Sequence, residues 1–134
     1  MTLALDTTGL LARYLTGPHR EVALRACRKD RDWCASALAL AEALMIADRV
    51  TESTIEQQAL RGALLDDWQR IHVVPVDVGC LDRATELGRT HPVRTADAIH
   101  LAAADRLPRP VTYCTFDPRQ IPVALALGFD VASV

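Results

Sequence analysis

The sequence predicts an α/β fold: a mainly parallel sheet covered by helices on both faces. Three observations carry this expectation. Short apolar runs of strand length alternate with longer stretches at helical spacing from one end of the chain to the other. The runs are apolar enough to suit strands buried on both faces, as a parallel sheet requires. Residues that start and stop helices stand between them, and no repeat, linker or low-complexity stretch interrupts the pattern.

Taken in order, Thr2 to Leu5 is a short apolar strand ending at Asp6. Leu10 to Leu15 continues as a short helix, stopped near Gly17-Pro18. His19 to Lys29 reads as an amphipathic helix, and Trp33 to Ala35 as a second strand. Ser36 then caps a long apolar helix to about Val50. Ser53 caps the next, with Ile55, Ala59, Leu60, Ala63 and Leu64 on one face. His72 to Val76 is a third strand, and Asp77 caps a helix to about Arg89. Thr95 caps a helix to about Arg106, and Val111 to Thr115 is a fourth strand. Pro118 suits the first turn of a helix that ends at Gly128, before a last strand, Phe129 to Ala132.

Composition bounds the rest. The 134 residues suit one domain spanning 1–134, and with half of them hydrophobic the chain is expected to fold rather than stay disordered. A net charge of −2 leaves no global field for nucleic acid, so any such contact must be a local patch. Lys29 is the only lysine; every other basic chain is arginine, which offers planar forked contacts to phosphate. Cys27, Cys34, Cys80 and Cys114 form no CxxC pair and have no histidine at zinc spacing, so they read as small buried hydrophobes in a reducing compartment. The opening MTLALDTTG meets an aspartate too early for a signal peptide. No apolar run nears the roughly 18 residues that span a bilayer. The expectation is a cytoplasmic protein with no membrane partner.

Four carboxylates stand out. Ligands of parallel sheets bind beyond the carboxyl ends of the strands, and Asp6 and Asp117 each stand just past such an end. Each has a structural explanation as a helix N-cap. Asp97 in a first helical turn suits the helix dipole. Glu42 is the only charge between Ser36 and Asp48, in a helix so apolar that burial is expected. A buried carboxylate needs compensation, by a cation or an arginine. As a set, four carboxylates at one rim repel each other unless a divalent cation neutralises them. Hard oxygen donors select Mg²⁺ or Mn²⁺, which activate water toward phosphodiesters. Thr7, Thr8 and Thr115 add hydroxyls that could hold waters of such an ion. His100, one turn after Asp97, reads as structural or as a neighbour of the site.

Other carboxylate chemistries lack their partners. A dehalogenase-type phosphatase wants an aspartate where Thr8 stands, and a receiver domain wants a lysine after a late strand. A P-loop, a GxSxG elbow and a serine–histidine pairing are absent.

LDTTGLLARYL from Leu5, RTADAIHLAAA from Arg94 and TFDPRQIPVALALGFDV from Thr115 resemble the motifs of PIN-domain nucleases of the VapC toxin type, with Glu42 at the matching place in the helix after the second strand. The resemblance covers essentially the whole chain. It implies a PIN-like α/β/α sandwich with a mainly parallel central sheet of about five strands. It implies a Mg²⁺- or Mn²⁺-dependent endoribonuclease, the toxin of a type II toxin–antitoxin pair, that hydrolyses RNA with a metal-activated water. Carried over, Asp6, Glu42 and Asp97 are the core metal ligands and Asp117 the fourth acid, with Pro118 positioned to hold Asp117 as a cap instead. The implied partners are RNA, a second copy of the chain and a VapB-type antitoxin whose C-terminal segment covers the acidic pocket. Trp68, Leu64, Leu65 and Ile71 are candidates for a groove that takes a partner helix. The alternative is a catalytically silent PIN-like binding or regulatory module, and a weaker third reading is a related nuclease acting on DNA.

Overall fold

In the computed structural model, which describes residues 2–134, five parallel strands form one sheet in the order β3-β2-β1-β4-β5. They are β1 (Thr2–Leu5), β2 (Asp32–Ser36), β3 (His72–Val74), β4 (Val111–Cys114) and β5 (Asp130–Ala132). The helices are α1 (Thr7–Ala12), α2 (Pro18–Lys29), α3 (Ala37–Val50), α4 (Thr54–Trp68), α5 (Val78–Thr90), α6 (Thr95–Asp105) and α7 (Ile121–Ala126). The α/β sandwich expected from the alternation is the fold observed.

The central strand shows why. Every residue of β1 is buried, and successive side chains point to opposite faces. Leu3 and Leu5 pack with α1 to α4, whereas Ala4 packs with α5, α6 and α7. Each fully buried leucine contributes about 1.5–3 kcal/mol. The four cysteines are free and buried, as expected of small core hydrophobes. No helix among the described residues is long and apolar enough to cross a membrane.

Several expectations are corrected. Helix α1 starts at Thr7 rather than Leu10, because Asp6 accepts a hydrogen bond from the Gly9 N–H and caps it. Thr95 is the first residue of α6 and Arg94 its N-cap, with the Arg94 N–H donating to Asp97. Pro118 does not open α7. Residues 117–120 make a turn closed by the Gln120 N–H on the Asp117 carbonyl, and the early proline of α7 is Pro122. Helix α3 is less buried than its composition suggests: its fully buried stripe is Ala39, Ala43 and Ala47, and Met45 and Val50 are exposed. The proposed partner groove is also redrawn. Leu64 and Ile71 are buried in the chain's own core and Trp68 packs against it, which leaves Leu65 exposed.

Candidate active site

Strand β1 lies at the middle of the sheet, with β2 on one side and β4 on the other. The chain leaves β1 toward β2 and β3 and returns to the other side as β4 and β5, so the carboxyl end of β1 is the topological switch point. The four candidate acids line one cleft there, of about 120 Å³, together with Thr7, Thr8, Ile46, Arg94, His100 and Gln120.

Asp6 is 1 % exposed and held from three directions. Its Oδ1 accepts from the Thr8 hydroxyl at 2.7 Å and from the Gly9 N–H at 2.7 Å. Its Oδ2 accepts from the Thr115 hydroxyl at 2.6 Å. Burial pushes its carboxyl above the ordinary value, and the hydrogen bonds from Thr115, Gly9 and Thr8 only partly offset this. Thr8 also ties α1 to the loop after β4 by accepting from the Phe116 N–H, and Thr115 accepts from the Asp117 N–H within that loop. These hydroxyls thus orient carboxylates and backbone rather than stand free for water.

Glu42 comes from α3 and is about one-third exposed. Its compensation is His100, whose Nε2 lies 2.5 Å from Glu42 Oε1, with the Thr7 hydroxyl donating to the same oxygen at 2.6 Å. Those contacts, that of His100 above all, hold the Glu42 carboxyl below its ordinary value. His100 is itself buried, with Nδ1 at 2.9 Å from the Ser36 hydroxyl. Ser36 stands at the N-cap of α3 but makes no side-chain cap bond.

Asp97, in the first turn of α6, is buried, which works to raise its carboxyl; Arg94 outweighs this and leaves it below the ordinary value. Arg94 Nε donates to Oδ2 at 3.1 Å and Nη2 to Oδ1 at 3.4 Å. Gln120 Nε2 donates to Oδ1 at 3.0 Å, and Gln120 is fixed in turn by the buried Tyr113 hydroxyl at 2.6 Å. Asp117 follows β4. Its Oδ1 accepts from the Arg119 N–H at 2.9 Å and its Oδ2 from Arg94 Nη2 at 3.4 Å.

The donor set is made of hard oxygens, the chemistry that suits Mg²⁺ or Mn²⁺. As placed, no three His, Cys, Asp or Glu side chains among the described residues are gathered tightly enough to hold an ion. Arg94 lies on Asp97 and Asp117 instead, and His100 bonds Glu42. Sequence reasoning missed Arg94, Ser36, Tyr113 and Gln120. Arg94 had a signal, being three residues before Asp97 at the spacing of helical ion pairs. The others had none, because Ser36 and Gln120 meet partners 64 and 23 residues away and Tyr113 reaches the site only through Gln120.

The PIN domain family model matches residues 3–124. No curated protein sequence matches the chain. Among solved structures, FitAcB from Neisseria gonorrhoeae is similar at TM-score 0.74 and 18% identity, over 98% of this chain and 96% of that one. VapBC-5 of the VapBC toxin–antitoxin family, from Mycobacterium tuberculosis, is similar at TM-score 0.68 and 19% identity, over 99% and 98%. VapBC2 from Rickettsia felis, bound to a DNA fragment from its promoter, is similar at TM-score 0.67 and 16% identity, over 100% and 99%. At such identities these likenesses speak for the fold alone, whereas the family model spans nearly the whole chain, from β1 into α7. The chain belongs to the PIN-domain family.

Proposed function

We propose that this chain is a Mg²⁺- or Mn²⁺-dependent endoribonuclease acting as the VapC-type toxin of a type II toxin–antitoxin pair. PIN domains are generally nucleases. The observation that carries the reading is the convergence of four carboxylates, from the ends of β1 and β4 and from α3 and α6, on one cleft at the switch point. No nucleophilic serine or cysteine lines it.

Asp6, Glu42, Asp97 and Asp117 would hold the cation. When bound, a divalent cation polarises the attacking water and screens the charge that develops on phosphate. The chain's own part is orientation. Thr8 and Thr115 fix the two oxygens of Asp6, and Gln120 with Tyr113 fixes Asp97. His100, bridging Ser36 and Glu42, is a positioning residue. The partners proposed are RNA, a second copy of the chain and a VapB-type antitoxin. The antitoxin is supported by solved structures of similar fold, one described as a member of the VapBC family of toxin–antitoxin systems and one as a toxin–antitoxin complex.

The test is cleavage of a single-stranded RNA oligonucleotide with Mg²⁺, with Mn²⁺ and in EDTA, followed by end-group analysis. The expected products carry a 5′-phosphate and a 3′-hydroxyl. A 2′,3′-cyclic phosphate, or full activity in EDTA, would sink the mechanism. The second reading, a silent PIN-like module, is favoured by the arginine lying on two of the acids. No cleavage of RNA or DNA with either metal, by protein that binds its antitoxin, would support it.

A further inference from the structure

We infer that Arg94 is a built-in competitor for the cation: its guanidinium holds Asp97 and Asp117 together until a divalent metal displaces it. The inference rests on the metal reading of the cleft. Arg94 takes a contact on both oxygens of Asp97 and on Oδ2 of Asp117. It bridges carboxylates from two elements, α6 and the turn after β4, as a divalent cation would. The carboxylates are nearly buried, at 4 % and 12 % side-chain exposure, whereas the arginine is 65 % exposed. The acids are therefore fixed and the arginine is the partner that can leave.

A metal ligand must turn an oxygen lone pair to the ion, at about 2.0–2.6 Å. Asp97 Oδ1 already accepts from Gln120 and Arg94, and Oδ2 from the Arg94 N–H and Nε. Asp117 Oδ1 accepts from the Arg119 N–H. The contacts that can be given up without unfolding the helix start or the turn are those of the Arg94 guanidinium. The side chain also has somewhere to go. Arg94 lines both the acidic cleft and an adjoining groove of about 190 Å³ formed by Leu81, Ala84, Val93 and Ile99, among others, which can take its aliphatic stem. Metal binding and the arginine contact thus exclude each other, and the strength of that contact sets the threshold at which metal loads.

The test is calorimetric titration of Mn²⁺ into the wild type, Arg94→Gln and Arg94→Lys, with no substrate present. Arg94→Gln removes charge and fork together and is expected to tighten Mn²⁺ binding about three- to tenfold, a partly exposed contact's worth. Arg94→Lys keeps the charge but cannot bridge two carboxylates in a planar fork, and is expected to bind more tightly than the wild type. In the wild type, the Arg94 Nε–H signal in a ¹⁵N–¹H spectrum, assigned by its loss in Arg94→Lys, should move as Mg²⁺ saturates the protein. Equal affinities of wild type and Arg94→Gln would overturn the inference while leaving the metal site standing. So would wild-type affinity in Arg94→Lys, which would reduce the effect to net charge, or an Nε–H signal that stays put. Binding of Mn²⁺ by none of the three proteins would remove the metal reading itself, and this inference with it.

Discussion

Asp6 is asked to be two things at once. It caps α1 through the Gly9 N–H, and it presents a carboxylate to the cleft from a nearly buried position. Burial raises its carboxyl above the ordinary value of 3.8, so its neutral form suits the fold better than its charged one. A group shifted this way contributes stability below its unfolded pKa, and that contribution is lost as pH rises through the folded pKa. Glu42 and Asp97 are shifted down, so their contributions are present at neutral pH and lost as pH falls through their folded values. Asp6→Asn should therefore gain stability relative to wild type as pH rises from 3.8 to neutral, with metal chelated. Thermal melts of both proteins across that range check it, and a difference that is flat with pH would show that the charge of Asp6 costs nothing. The mutant should also lose cleavage activity.

His100 carries the next prediction at this scale. Replacing it by leucine strands the buried Ser36 hydroxyl and leaves Glu42 with Thr7 alone. A buried polar group without its partner costs about 1–3 kcal/mol. Urea unfolding of His100→Leu should show a loss of that size. A protein as stable as wild type would mean that Ser36 and Glu42 find water instead.

At the scale of elements, α1 is pressed against the end of β4 so closely that only glycine fits at its third position. A Cβ on Gly9 would stand 2.3 Å from the carbonyl oxygen of Cys114, which is backbone and cannot swing away. Alanine is the better helix former by about 1 kcal/mol. Overpacking costs typically about 1–3 kcal/mol, and here the clash outweighs the propensity. Gly9→Ala should destabilise the protein, read by denaturant midpoint, and push Asp6, Thr8 and Thr115 apart so that activity falls more than stability alone explains. An alanine variant of wild-type stability would mean that α1 can shift without loss. Two of the helix-start expectations that failed, the Ser36 cap and Pro118, belong to this scale too. Ser36 has the right residue type and position, yet its hydroxyl is drawn to His100, a partner 64 residues away. Pro118 suits a first turn, but the chain needs residues 117–120 as a turn to bring Asp117 and Gln120 to the cleft.

At the scale of the molecule, the order β3-β2-β1-β4-β5 puts the carboxyl end of β1 where the two halves of the sheet diverge. Acids separated by up to 111 residues meet there, Asp6 with Asp117. A ligand that binds only the folded cleft stabilises the whole molecule, by about 2.7 kcal/mol at a hundredfold excess over its Kd. Mn²⁺ should raise the melting temperature of the wild type, EDTA should reverse the rise, and Asp6→Asn should respond weakly. No response in the wild type would argue that the cleft takes no cation.

The layers and the candidate acids were legible in one dimension. Periodicity decides which residues can be buried on which face, and the short run from Thr2 to Leu5 reads as a buried strand with Asp6 just past its carboxyl end. Local patterns also singled out the four carboxylates: Asp6 and Asp117 follow strand ends, Asp97 lies in a first helical turn, and Glu42 is the lone charge of an apolar helix. Which group answers each charge was set by packing in three dimensions. Glu42 demanded compensation from its sequence context alone, but whether cation, arginine or histidine supplied it depended on α6 packing beside α3 and turning His100 inward. The same holds for Arg94, whose guanidinium spans Asp97 beside it and Asp117 across the cleft. Burial patterns are local and repeat along the chain, so they can be read in one dimension. Electrostatic partners are chosen by distance in three dimensions, between groups that one-dimensional spacing leaves unconnected.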